Sequence, residues 1–204
     1  MMKNALRFAG PLLIAGLLLG SGCLGLWQRE IEFSSFLIEA PRSGAPAEKA
    51  VASKLWIGDV TVLPPFNVRN FILRRSDVEY SATYRSELLM TPSANFRNVL
   101  YRWYSESGLF GEVAFKSRLD AALSLFVSVT DFHGDIAEGK AVIEMHFILV
   151  DERGDSTGKV LFAKTYREEE PVKSMEAADL VRAYDRALSR IMAASEKDVV
   201  AALE

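Results

Sequence analysis

A chain of 204 residues with 50% apolar and 25% charged side chains is long enough for one domain with a real core, and too apolar to remain disordered. Its formal net charge of -3, without any basic block, argues against nucleic-acid binding, which rests on clustered Lys and Arg. One cysteine excludes an internal disulfide, and the two histidines stand at no metal-ligand spacing, so neither a metal nor another cofactor is expected.

The chain opens with the three-part layout of a secretory signal. Lys3 and Arg7 precede an apolar run to Leu19, which closes on Gly20-Ser21-Gly22-Cys23. Small residues before a cysteine are the arrangement of a bacterial lipobox, where the cysteine is acylated and becomes the first residue. Gly20 stands where a lipobox usually carries Leu, and Leu19 sits one place earlier. The alternatives are a buried free cysteine and an uncleaved membrane anchor. An anchor needs about 20 apolar residues, which Phe8 to Leu26 approaches only if its five glycines, Pro11 and Ser21 are counted. The expected organisation is a signal peptide over 1–22, a lipidated Cys23 with a short tether over 23–30, and a domain over 31–204. Cleavage before Cys23 removes Lys3 and Arg7 and takes the net charge from -3 to -5. The seven tether residues Leu24 to Glu30 reach roughly 25 Å when extended, which holds the domain close to a bilayer.

Ile31 to Ile38 reads as a first strand ended by Pro41, and Lys54 to Leu63 as a second stopped by Pro64-Pro65. The β-prone runs Phe71–Arg75 and Val78–Ala82 flank Ser76-Asp77 and predict a hairpin. Thr91-Pro92 is a helix start, a capping hydroxyl followed by proline at the first helical position. Phe96, Val99, Leu100, Trp103 and Tyr104 follow at helical period, and Gly108 ends the helix. Three strands come next, over Ala122–Asp131, Lys140–Asp151 and Lys159–Glu168, with a turn at Glu152–Asp155. In the middle one an apolar face alternates with a mixed one. Ser174 is read as the cap of a last helix to Leu203, with Val181, Tyr184, Leu188, Ile191 and Met192 inward and Arg182, Arg186 and Arg190 along a solvated flank. Together these predict an α+β fold: an antiparallel-rich mixed sheet with two amphipathic helices packed on one face.

No residue is assigned a catalytic role. His133 is placed at a strand end, His146 on the mixed face, and Glu168-Glu169-Glu170 at a solvated strand exit. No phosphate loop, nucleophile elbow or zinc-protease helix is present. Arginine among aromatics is enriched at protein interfaces, so Phe71, Arg74, Arg75 and Tyr80 form the candidate partner interface, with Phe66 nearby. The alternative is an edge hairpin whose arginines pair with Asp77 and Glu79.

Several of these segments, in their order, resemble one family. They are Phe33 to Pro41 after the cysteine, Val60-Thr61-Val62-Leu63-Pro64-Pro65-Phe66, Phe71–Arg75, Tyr101-Arg102-Trp103 leading to Gly108-Leu109-Phe110, and Ala122 to Phe132. Together they look like the ABC-type transport auxiliary lipoproteins, the group that includes the paraquat-inducible lipoprotein. The Ser-Gly-Cys junction and the stretch Thr83 to Pro92 depart from the pattern. The resemblance implies a non-enzymatic auxiliary component of an MCE/ABC-type lipid transport system between inner and outer membranes. It implies an MCE-domain protein as partner, and attachment to the periplasmic face of the outer membrane of a diderm bacterium through acyl chains such as palmitate on Cys23. Leu24 after the cysteine, in place of Asp, agrees with outer-membrane sorting. The competing reading is a lipoprotein regulator of a cell-wall synthase, which the short tether disfavours.

Overall fold

The computed structural model describes residues 33–203 apart from Thr157. The signal segment, Cys23 with its tether, and Ile31 and Glu32 of the first predicted strand lie outside the described residues.

Among the described residues nine strands and two long helices follow in chain order. The strands are β1 (Ser34–Phe36), β2 (Ala52–Ile57), β3 (Thr61–Val62), β4 (Asn70–Arg74) and β5 (Tyr80–Leu88), then β6 (Phe110–Ala114), β7 (Leu123–Asp135), β8 (Lys140–Asp151) and β9 (Lys159–Pro171). Helix α1 (Pro92–Glu106) lies between β5 and β6, and α2 (Ala177–Leu203) closes the chain. The predicted second strand is split. At Gly58 the backbone donates to the Leu125 carbonyl at 2.9 Å, and a side chain there would come within 3.1 Å of the Phe126 ring. Pro64 and Pro65, which lack the N–H that a ladder requires, form a short 3-10 turn instead.

Among the described residues five of the eight strand pairings are parallel. The α+β class stands, but the expected antiparallel-rich sheet does not form; the sheet is mostly parallel. One edge of β7 is shared end to end by three strands, with Leu55 opposite Leu123, Thr61 opposite Ser128 and Leu73 opposite Gly134, all parallel. Antiparallel pairing is confined to the β4–β5 hairpin and the β7–β8–β9 meander, the two places where a short turn joins neighbours in sequence.

Both helices lie on the face to which Phe132 points. Its ring is 5.2 Å from that of Phe96 on α1 and 4.5 Å from that of Tyr184 on α2. The predicted inward residues of both helices are buried. Helix α1 starts where expected, with Thr91 in the cap position, Pro92 first and the Thr91 carbonyl accepting the Asn95 N–H at 2.9 Å. The Thr91 hydroxyl, however, makes no capping bond: it meets the Ser93 hydroxyl at 3.3 Å, and Asn67 accepts the Ser93 N–H. Helix α2 begins at Ala177, three residues after Ser174, whose hydroxyl donates to Asp179 in the first turn and accepts the Glu176 N–H. Gly108 ends α1 as expected. Its φ of +71° is left-handed, and a Cβ there would come within 2.7 Å of the Ala47 carbonyl oxygen.

The segment between β1 and β2 is strapped across the helices. Asn95 donates to the Ile38 carbonyl at 2.7 Å and accepts its N–H at 3.2 Å. Glu196 on α2 accepts from Trp103 Nε1 at 2.7 Å and from Arg42 at 2.8 Å.

At the far end of β8, Asp151 accepts from Arg153 Nε and Nη2, both at 2.8 Å, and from its backbone N–H at 3.0 Å. The guanidinium holds this carboxyl down to about 2. A depressed carboxyl stabilises the fold above its unfolded value and loses that contribution as pH falls toward its folded one. The difference in urea midpoint between the native chain and Arg153→Ala should therefore be constant above about pH 5 and shrink between about pH 4 and 2. A difference that holds through that window would assign Arg153 some other role.

Candidate functional site

Alternation along β7 turns His133, the residue after Phe132, to the sheet face without helices. The β4–β5 hairpin borders the same region. Its turn is closed by the Arg75 N–H donating to the Glu79 carbonyl at 2.8 Å and by the Ser76 hydroxyl accepting the Glu79 N–H at 3.1 Å. The Ser76 hydroxyl, accepting this backbone N–H, lets Ser76-Asp77 make a hairpin without the positive φ that a glycine would supply.

The hairpin arginines do not pair with Asp77 or Glu79. Arg74 donates to the Ser76 carbonyl at 3.0 Å and lies 3.5 Å from the buried Asp135 carboxylate, while Arg75 donates to the Ser81 hydroxyl at 2.9 Å. Tyr80 is half exposed, its ring 6.4 Å from Phe66 and 5.8 Å from His133. Phe71 stands apart from the other three expected site residues. It is 1% exposed and packs edge-on against Phe36 in the core, so its ring is not available to a partner. Its neighbour Ile72 takes the outer face instead and, with Pro65, Phe66, Tyr80, Ser81 and Ala82, lines an apolar groove of about 330 Å³. Arg74, Arg75 and Tyr80 are thus brought together beside a groove that the sequence did not reveal.

Beneath this groove lies a polar relay. The His133 ring is stacked under Phe66 at 6.0 Å, and its Nδ1 is 2.5 Å from Asp131 Oδ1, whose other oxygen accepts from Arg167 at 2.9 Å. Burial alone pushes the Asp131 carboxyl up. The hydrogen bonds from His133 and Arg167 outweigh it and leave the group below the usual carboxylate range. As a carboxylate Asp131 accepts, so His133 Nδ1 carries a proton. His133 Nε2 is buried and has no hydrogen-bond partner in the structure. The i, i+2 spacing of Asp131 and His133 on one strand is the sequence signal that would have found this pair.

The glutamate run and the arginine flank are solvent-accessible, as expected, but they are not separate surfaces. Glu168 and Glu170 on β9 face α2, where Arg190 binds both at 2.7 and 2.6 Å and Arg186 binds Glu170 at 2.5 Å. Glu169, between them, turns to the other face and meets Lys140 at 2.5 Å and Arg167 at 3.1 Å. Each exposed pair contributes only about 0–1 kcal/mol, but the ladder fixes the register of α2 along β9.

Among the described residues no cluster of His, Cys, Asp and Glu could hold a metal ion, and no helix is long and apolar enough to cross a membrane.

No curated protein matches this chain. Solved structures share its fold. Protein XCC0632 from Xanthomonas campestris superposes with a TM-score of 0.67 at 18% identity, over 78% of this chain and 90% of that one. The structure of an uncharacterized protein gives 0.65 at 19% identity, over 82% of this chain and 99% of that one. Both likenesses are of fold alone. The sequence itself carries the relationship further: residues 36–194, from the end of β1 well into α2, match the family model for the ABC-type transport auxiliary lipoprotein component, and on that match the chain belongs to this family.

Proposed function

We propose that the protein is an exported lipoprotein, acylated at Cys23 and anchored at the periplasmic face of the outer membrane, that serves as the auxiliary component of an MCE/ABC-type lipid transport system. The observation that carries this reading is the family match over residues 36–194. The signal-like segment ending at Cys23 supports the anchor. The hairpin with Arg74, Arg75 and Tyr80 supports a protein-docking role, since exposed arginine beside aromatic side chains is the mixture that interfaces favour.

Crosslinking of the anchored protein in native envelopes, with the captured partners identified by mass spectrometry, tests the proposal. Capture of an MCE-domain protein supports it. Capture of a cell-wall synthase with no MCE protein overturns it in favour of a synthase regulator.

The hairpin is tested by Arg75→Glu. Arg74 is a poor choice, because a glutamate there would face the buried Asp135 and confuse misfolding with lost binding. The Arg75 side chain is exposed and bonds only the Ser81 hydroxyl. Arg75→Glu is expected to weaken capture at least about fivefold, close to 1 kcal/mol, with an unchanged urea midpoint. Undiminished capture removes the hairpin from the interface and leaves the family role intact.

A further inference from the structure

Four large apolar side chains line the outer margin of the sheet, where β1 pairs only with β5 among the described residues. Phe33, Leu37, Tyr84 and Leu89 are between 37 and 72% exposed. The Phe33 and Tyr84 rings are 6.1 Å apart, and the Leu89 N–H donates to the Phe36 carbonyl at 2.7 Å, so the two ends of the strip are held on adjoining backbone. Leu37 precedes the buried Ile38 and Leu89 follows the buried Leu88, so both point away from the core. This strip is distinct from the hairpin tip that carries Arg75.

We infer that the β1–β5 margin rests on a lipid bilayer, with Phe33 and Tyr84 at the level of the lipid headgroups. The inference rests on acylation of Cys23 and adds an orientation to it. The chain enters the sheet at Phe33, ten residues after Cys23, so the margin lies within about 35 Å of the anchored atom even when the intervening chain is fully extended. Because β1 and β5 are parallel, with Ser34 opposite Ser86, the incoming chain arrives at the Tyr84 end of the strip. Tyrosine, with an apolar ring and a polar tip, is a side chain that favours a membrane–water interface. The area decides against a second protein. Four partly exposed side chains offer on the order of 400 Å², about half of the ~800 Å² per partner in a stable protein–protein interface. A bilayer sets no such minimum when acyl chains already supply the anchoring. The margin then fixes which way the domain faces and leaves the hairpin free of the membrane.

The test uses the full acylated chain in vesicles of phosphatidylethanolamine and phosphatidylglycerol. Cys23 is the only native cysteine, so in the acylated protein Tyr84→Cys, Leu89→Cys and Val160→Cys each offer a single free thiol for a nitroxide. Val160, exposed at the start of β9, is the water-facing reference. The ratio of oxygen to water-soluble nickel-complex accessibility should be severalfold higher at positions 84 and 89 than at 160, and the excess should vanish in the unacylated Cys23→Ser chain in buffer without vesicles. Water-like labels at 84 and 89 on an acylated chain overturn the bilayer contact alone. Spin–spin broadening at 84 or 89 between copies in detergent overturns it in favour of a second copy. An intact mass showing a bare Cys23 overturns the lipoprotein reading, and the orientation with it.

Discussion

Phe132→Ala is expected to remove about 3–5 kcal/mol of folding stability, the usual cost of truncating a buried phenylalanine. Domains of this kind have only about 5–15 kcal/mol in total. The ring is 3% exposed and touches both helices, through Phe96 and Tyr184, so no single neighbour can close the space that it leaves. The urea midpoint measures the effect, with Phe132→Leu as the variant that should recover most of it. A midpoint for Phe132→Ala within about 0.5 kcal/mol of the native value would mean that the helices are held by something else, since substitutions away from such features fall in that range.

Cys23→Ser is expected to move the protein from the membrane to the soluble periplasmic fraction and to abolish envelope crosslinking, while leaving the domain folded. Serine keeps the size of the residue but removes the sulfur to which a lipid would be attached. Each buried methylene of an acyl chain adds about 0.8 kcal/mol, and one myristoyl chain gives only marginal, reversible binding, so stable retention needs more than one chain. The loss should therefore be close to complete. Fractionation and intact mass read it. A Cys23→Ser protein that still sediments with membranes would assign the anchor to another part of the chain.

Much of the fold was legible because its signals are local. The helical period from Phe96 to Tyr104 gave α1, the alternation from Ile143 to Leu149 gave β8, and the joins of β4 to β5 and of β8 to β9 sit at polar turns. What failed was what depends on residues far apart. Parallel pairing leaves no turn in the sequence, so nothing near Leu55 or Leu73 announced β7 as their common partner. β6 went unread although Phe110 and Val113 gave it a β-prone character, because it is short and follows closely on the end of α1. The site shows the same division. Arg74, Arg75 and Tyr80 were chosen as candidates from composition, but Phe71 and Ile72 are both apolar, and only the bulge between Asn70 and Ile72 and the packing on Phe36 decide which one turns inward. The arginines of α2 and the glutamates of β9 were each read as solvated, which they are, but their pairing was not, since neither segment shows that it lies against the other.

For a chain exported as proposed, the shared edge of β7 also sets the order in which the molecule can be completed. β2, β3 and β4 find their partners on β7 between 61 and 68 residues downstream. A chain that crosses a membrane from its N-terminus delivers those three strands first and their template much later, and contacts across such separations form slowly. Until residue 135 has emerged, these strands have one edge unpaired and prone to join another chain. The sheet thus closes around a strand delivered late, and the N-terminal half of the described domain is the half that must wait.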